Sequence, residues 1–353
     1  MLSKSFPNNL SLRTINGDKT VYDIQKEDKL ETVDGFSNLD KNYIEDDIFL
    51  LKFDDGREIC LGGQHELNVI NNRNNRPRSP ISVSNLKNDL TNPSNVGRMG
   101  IKLYTPKSND NNDEISLSID PYFLGALIGD GYFGRRISLS SMDDEILLRC
   151  NSALMGGYGF VHRNKCEYVI SRLYDNRQRN GRYYKGSYDN FYHEAIENYG
   201  LSHTRSNSKF IPNIYKLAST KNRIELLKGL FDTDGTINTN GGISFCTVSD
   251  QLAKDVQYLV WSLGGKCKIG TSKKYYTYKG EKRQGQIAHV LSVRHPTQSM
   301  FFYLSRKLER CNDNHQYSPN MKLMISSISY LGKGQTISFN SISNYITDNF
   351  IVV

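Results

Sequence analysis

Along the chain the apolar positions change their period twice. Up to about residue 70 they alternate or form short runs, as in Ser11-Leu12-Arg13-Thr14-Ile15, Val21-Tyr22-Asp23-Ile24 and Ile48-Phe49-Leu50-Leu51-Lys52-Phe53. Period-two patterning predicts half-buried strands, and Asn16-Gly17, Asp34-Gly35 and Asp55-Gly56 punctuate them as hairpin turns. Residues 71–99, rich in Asn, Arg, Ser and Pro, read as an extended polar excursion; Pro106 to Glu114 has no apolar anchor and reads as a linker.

Helix-length apolar runs then take over. Helices are expected at Pro121–Ile128, Asp143–Leu154 and Tyr188–Glu197, with strands at Tyr132–Leu139 and Glu167–Leu173 between them. From Asn222 the order recurs: helix to Phe231, strand Gly242–Thr247, helix Ser249–Leu263, strands Lys266–Ile269 and Ala288–Arg294, helix Gln298–Leu308. A recurring order of this length is an internal repeat. Thr336–Val353 returns to β texture. The expected partition is a β domain (1–105), a linker (106–117), two repeat halves (118–220 and 221–330) and a closing β segment (331–353).

Composition supports a packed, polar molecule. The 353 residues include 22 Tyr and 15 Phe, and 45 Lys plus Arg stand against 37 Asp plus Glu, net +8. No apolar run nears the ~18 residues of a membrane span, and no basic-then-apolar leader opens the chain. A soluble, intracellular monomer is expected, nuclear in a eukaryote and otherwise cytoplasmic. Six scattered cysteines without a C-x-x-C pair argue against a zinc ribbon or a disulfide framework. Charge is partitioned: residues 1–115 carry 15 basic and 18 acidic groups, and the remainder carries 30 and 19. A basic surface interleaved with tyrosine is the footprint of a polyanion binder or, equally, a solvated face.

The chemistry lies at corresponding places in the two halves. Phe123-Leu124-Gly125-Ala126-Leu127-Ile128-Gly129-Asp130-Gly131 and Leu227-Lys228-Gly229-Leu230-Phe231-Asp232-Thr233-Asp234-Gly235 are apolar runs with a central glycine that end in Asp-Gly. Small residues let two helices approach backbone to backbone, and the closing glycine is expected to adopt the left-handed ending of a helix. Packed in parallel, the two helices would bring Asp130 and Asp234 together, and a divalent, oxygen-seeking cation suits such a pair.

These residues resemble the twin motifs of the LAGLIDADG homing endonucleases in their single-chain form, over about residues 118–330. The resemblance implies an α+β fold, a pseudo-twofold core of two αββαββα halves inserted in an all-β Hint-like domain. It implies Mg²⁺ or Mn²⁺ held by Asp130 and Asp234 with the carbonyls of Gly129 and Thr233. It further implies cleavage of double-stranded DNA at a long, asymmetric site, leaving 3′ overhangs. Lys209, before Ile211-Pro212, matches the catalytic lysine of intein-related members; for the second half Lys307 and Lys322 both remain candidates. Strand residues following each motif would read the major groove: Arg135, Arg136, Lys165 and Arg172 in one half, and Lys268, Lys273, Lys274, Lys279, Lys282, Arg283 and Arg294 in the other. The loop Tyr174 to Gly186, and Arg73, Arg76, Arg78, Lys87, Arg98 and Lys102, are further phosphate-contact candidates.

The flanks resemble the Hint fold of inteins. Asp54 to His65 looks like the stretch ending in Thr-x-x-His, and Asp348 to Val353 like the start of the C-terminal block. Met1 stands where splicing needs Cys or Ser, Gly62 replaces the threonine, and no His-Asn pair follows Val353, so His65 is expected to be a relic and splicing lost. A non-cleaving nucleic-acid binder (an RNA-splicing maturase or a regulator) and a truncated splicing intein stay open as alternatives.

Overall fold

The computed structural model describes residues 2–25, 27–32, 35–37, 41–71, 80–92, 95, 98–103, 115–173, 191–278, 280–313, 321–341 and 345–353. The linker at 106–114, the loop Tyr174 to Gly186, and Arg73, Arg76, Arg78 and Lys279 fall outside these. The chain divides into two compact units. The first comprises residues 1–106, 260–268 and 314–353, and the second residues 107–259 and 269–313.

The first unit is built on sheets. Strand Lys41–Phe53 pairs with Glu58–Gly62 on one side and with the 20-residue strand Lys322–Ser341 on the other. Leu2–Pro7 and Met99–Lys102 also pair with that long strand. A smaller sheet collects Ser11–Thr14, Gly17–Thr20, Leu30–Thr32 and Gly35–Ser37. Alternation decides the burial: Phe49, Leu51 and Phe53 face the core at 5% exposure or less while Lys52 is exposed.

Three expectations change here. Val21–Ile24 is a turn, although Val21 and Ile24 are fully buried. The polar excursion contains a helix, α1 (Val83–Leu90), capped by Ser82 and pinned by buried Val83 and Leu86. The closing β texture begins at Lys322, well before Thr336.

A buried ion pair anchors this unit. Arg57, 1% exposed, bonds Asp55 Oδ2 at 3.1 Å and donates to the carbonyls of Phe350 at 2.9 Å and Gly265 at 2.8 Å. Its guanidinium also lies 4.8 Å from the Trp261 ring centroid. Truncating one member of a buried pair strands the other, which costs about 3–5 kcal/mol. Asp55→Ala is therefore expected to lower the urea midpoint by that equivalent, and an unchanged midpoint would refute the role given to the pair.

The second unit is a repeat in space as well as in sequence. Its first half runs α2 (Pro121–Asp130), strands Gly131–Phe133 and Ile137–Ser140, α3 (Asp144–Ser152), strands Tyr158–Asn164 and Glu167–Arg172, and α4 (Phe191–Asn198). After the single turn α5 (Asn213–Lys216) come α6 (Thr220–Thr233), strands Gly235–Ile237 and Ile243–Thr247, α7 (Asp250–Ser262), and strands Lys266–Tyr278 and Glu281–Arg294. A 3₁₀ turn (Gln298–Phe301) and α8 (Ser305–Leu308) close it. Each half is αββαββα, and both sheets place their strands in the same order, first, second, fourth, third.

Sequence patterning missed one strand per half, Tyr158–Asn164 and Gly235–Ile237, and fused a hairpin into the single strand Tyr132–Leu139. Gly131–Phe133 and Gly235–Ile237, three residues each, are too short for a period to show, and the seven-residue Tyr158–Asn164 buries only Gly159 and ends in the polar run His162-Arg163-Asn164, so no alternating apolar face marks it. The helix expected over Gln298–Leu308 is broken at Phe302–Leu304, with Phe302 extended at φ −133°, ψ 148°. No helix among the described residues is long and apolar enough to cross a membrane.

Candidate active site

Helices α2 and α6 pack through their glycines. A Cβ on Gly125 would lie 2.2 Å from the Leu226 carbonyl oxygen, and one on Gly229 would lie 2.1 Å from that of Tyr122. Each glycine thus meets the backbone of the opposite helix, and the contact is reciprocal, as a pseudo-twofold axis requires. Pro121 at the first turn and the Asp120 cap on the Phe123 N–H start α2; the Ser219 cap on the Asn222 N–H starts α6.

The C-terminal ends of both helices carry the acidic residues. Asp130 is the last residue of α2, and Asp234 is the C-cap of α6. A Cβ on Gly129 would come within 3.5 Å of Asp234 Oδ2, so the two motif ends adjoin. The glycines that follow do not take the left-handed form expected of them: Gly131 has φ −92°, ψ 162°. Glycine is needed for a different reason. The chain turns back so sharply that a Cβ would meet the carbonyl oxygen of Leu127 at 2.3 Å, or of Phe231 at 2.5 Å for Gly235.

Two buried lysines brace these turns. Lys209 Nζ donates to the carbonyls of Gly129 at 2.7 Å and Gly131 at 2.9 Å, on either side of Asp130. Lys307 Nζ donates to Phe231 at 2.7 Å, Asp232 at 2.8 Å and Gly235 at 2.7 Å, around Asp234. Lys209 is 7% and Lys307 5% exposed. The matched geometry selects Lys307 as the counterpart of Lys209; Lys322 lies in the first unit, on the long strand. Sequence spacing could not separate them because the lysine reaches its motif through a broken helix.

Electrostatics at this point are strained. Desolvation, then the neighbouring Asp130, push the Asp234 carboxyl up to about 6, with Lys209 and Lys307 opposing. Asp130 reaches solvent, yet the packed helix ends withdraw enough water to raise it too. Burial lowers both lysines to about 8, against the pull of Asp234 and Asp130 on Lys209 and chiefly of Asp232 on Lys307. Both carboxylates also sit at the negative ends of helix dipoles, where anions are disfavoured and cations favoured. The site is short of positive charge.

The groove-reading candidates are scattered more widely than a strand assignment implied. Arg135 and Arg136 are exposed in the hairpin turn before Ile137, and Lys165, at φ 41°, is exposed in the turn before Glu167. Arg172 is exposed at a strand end, 5.5 Å from the Tyr158 ring centroid. Lys268 and Lys273 are exposed on Lys266–Tyr278, which also carries Lys274; Glu281–Arg294 carries Lys282, Arg294 and Arg283, the last paired with Glu281 at 2.9 Å.

In the first unit His65 is fully buried against Phe6, with ring centroids 4.8 Å apart. Its Nδ1 lies 3.1 Å from the amide nitrogen of Ser5, and burial, then Lys4, depress its pKa well below the usual imidazole value. Ser5 faces it; Met1, which the sequence placed at the splicing position, lies outside the described residues. Ser5 Oγ bonds Asp46 Oδ2 and Thr336 Oγ1, each at 2.9 Å, and fills the space a side chain at Gly62 would occupy, a Cβ there falling 2.1 Å from it.

A LAGLIDADG-like domain family matches residues 221–295. A replicative DNA helicase DnaB of Mycobacterium intracellulare is 29% identical over 189 residues, 54% of this chain and 26% of the helicase, so the chain spans about a quarter of that relative. Among solved structures, variants of the homing endonuclease I-DmoI align with 54% of this chain and 88% of theirs at 15% identity and a TM-score of 0.30. The gp41-1 intein aligns with 23% and 60% at 14% identity and a TM-score of 0.19. The architecture follows from the topology above rather than from these superpositions. Residues 221–295 match a LAGLIDADG-like domain, and the described topology is two αββαββα halves with both motif helices in one polypeptide.

Proposed function

We propose that the chain is a site-specific endonuclease that hydrolyses one phosphodiester in each strand of duplex DNA with a divalent metal, leaving 3′ overhangs. The observation that carries this reading is the pair of carboxylates at two adjoining helix C-termini, each beside a buried lysine. Among the described residues no group of three or more His, Cys, Asp or Glu is placed to hold a metal ion by itself. An all-oxygen donor set of two carboxylates, completed by water and phosphate oxygens, suits Mg²⁺ or Mn²⁺ and no softer metal. Asp130 and Asp234 would hold it, with the carbonyls of Thr233 and of Gly129, the latter shared with Lys209. A bound divalent ion supplies Lewis-acid charge for the phosphoryl oxygens and lowers the pKa of water.

The protein's own groups do the rest. With pKa values near 8, both lysines are ammonium ions at neutral pH and set positive charge beside the reacting phosphates. Lys307 spends all three N–H donors on carbonyls; Lys209 spends two, leaving one for an oxygen of the substrate or an attacking water. Exposed cations on both sheets would supply phosphate contacts along the grooves of a long, asymmetric duplex; a monomer acting inside the cell belongs to the same proposal. Splicing is no part of this reading: Gly62 offers no hydroxyl to polarise the Lys4–Ser5 peptide.

Incubation with a randomised duplex library and Mg²⁺ should give short 3′ extensions at one recurring site. Cleavage that survives both Asp130→Asn and Asp234→Asn, or duplex binding with no cleavage at all, would sink the proposal.

A further inference from the structure

The backbone that carries each lysine is fastened by a buried aspartate, Asp232 on α6 for Lys307 and Asp255 on α7 for Lys209. Lys307 follows a broken stretch, Phe302–Leu304, and sits in a four-residue helix too short to orient itself. What fastens this stretch is Asp232, 2% exposed. Its carboxylate accepts the Tyr303 N–H at 3.0 Å and the Leu304 N–H at 3.3 Å, and its own carbonyl receives Lys307 Nζ at 2.8 Å. Tyr122 Oη donates to the same carboxylate at 2.9 Å.

Lys209 is fastened by a different aspartate doing the same work. Asp255 on α7, also 2% exposed, accepts the Ile211 N–H at 2.8 Å, two residues past Lys209. Ser249 Oγ donates to the Lys209 carbonyl at 2.6 Å. The two anchors are not related by the repeat, because Ile128 occupies in the first motif the place Asp232 has in the second. Asp232 thus satisfies two backbone donors near Lys307, whereas Asp255 satisfies one near Lys209 and also holds Lys216 Nζ at 2.8 Å and the Gln251 amide at 3.0 Å; among the described contacts neither carboxylate bonds the backbone beside the other lysine.

We propose that Asp232 and Asp255 are positioning residues, each fixing the backbone that carries one of the two lysines, so that the two halves of the site are set independently. Calling the lysines part of a reaction centre rests on the nuclease reading; the anchoring does not.

Brief acetylation of the intact chain with acetic anhydride, read by mass spectrometry, tests the anchoring without any activity. Removing a buried acceptor leaves its backbone donors unsatisfied, at a penalty of about 1–3 kcal/mol, which corresponds to roughly 5- to 150-fold in local opening. Asp232→Ala should raise Lys307 labelling by about that factor and leave Lys209 unchanged, and Asp255→Ala should do the reverse. The Asn variants, which keep one acceptor oxygen and the fold, should restore part of the protection. Tyr122→Phe should protect both lysines as the wild type does. Two lysines that rise together in either variant, or not at all, or a Tyr122→Phe that frees Lys307, would overturn the proposal. On supercoiled target, Asp232→Ala should slow the strand that Lys307→Met slows and leave nicked circles, with Asp255→Ala slowing the other; matched slowing of both strands counts against it. A wild type that cuts no duplex defeats the nuclease reading while the labelling still decides the anchors.

Discussion

At pH 7.5 in metal-free buffer, Asp234→Asn is expected to make the protein more stable, by about 2 kcal/mol, while abolishing its cleavage of duplex DNA. Burial and the adjacent Asp130 lift the Asp234 carboxyl from 3.8 to about 6. A carboxyl whose folded pKa is raised binds its proton more tightly in the native state than in the unfolded one. Stability is therefore lost as pH climbs from 3.8 towards 6 and stays low above that. Two units at 1.36 kcal/mol each set an upper figure of about 3, and the partial exposure of the site brings it to about 2. Asparagine never carries the charge. Its advantage in melting temperature should vanish below about pH 4 and be complete by pH 7. Mg²⁺ should stabilise the wild type and leave the variant unmoved. Activity should fall on the order of 10²–10³-fold or more, the scale on which a preorganised charge in an active site counts. Scanning fluorimetry across pH with a plasmid-cutting assay covers both halves of this result. A variant that melts no higher at pH 7.5 would refute the electrostatic account.

Alanine at Gly125 or Gly229 is expected to cost at least about 3 kcal/mol, towards the upper end of what overpacking does. The atom each new methyl meets, at 2.2 or 2.1 Å, is a backbone carbonyl oxygen of the facing helix, and no rotamer can move it. Relief requires the helices to separate, which also parts Asp130 from Asp234. Stability and cleavage of both strands should then fall together in urea titrations and plasmid assays. Gly129 offers a graded comparison, since its Cβ would meet Thr233 Oγ1 at 2.0 Å and Thr233 Cβ at 2.8 Å, and only the first of these can rotate away. Gly156 has nothing within 4 Å and serves as the neutral control. Equal losses at Gly125 and Gly156 would mean that the helix contact is not what makes these positions special.

Both predictions concern residues that the primary structure already marks. The paired runs 123–131 and 227–235 announce two equivalent helices ending in acid, and glycine at their centres announces close packing. Local patterning reaches that far because a long apolar run with one small residue has few alternative uses. It could not assign the second lysine. Lys307 and Lys322 are equally placed by spacing, and the choice falls to the three carbonyls that converge on one ammonium. The closing glycines are needed for a reason local patterning does not carry: positive φ is a local property, whereas the clash with the preceding turn appears only once the chain has folded back.

The surroundings of His65 show the same limit. No local pattern pairs His65 with Ser5, but strand pairing of Leu2–Pro7 with the long closing strand brings Ser5 to it. Pairing register is a non-local quantity, set by which face of each strand must be buried. Short-range sequence patterns thus determined the repeat, the acidic helix ends and the mixed α and β character, because period and composition act over neighbouring residues. The tertiary structure alone decided which cations reach those acids, which aspartates anchor them and which serine meets the histidine, because each depends on atoms brought together from segments 40 to 110 residues apart or more.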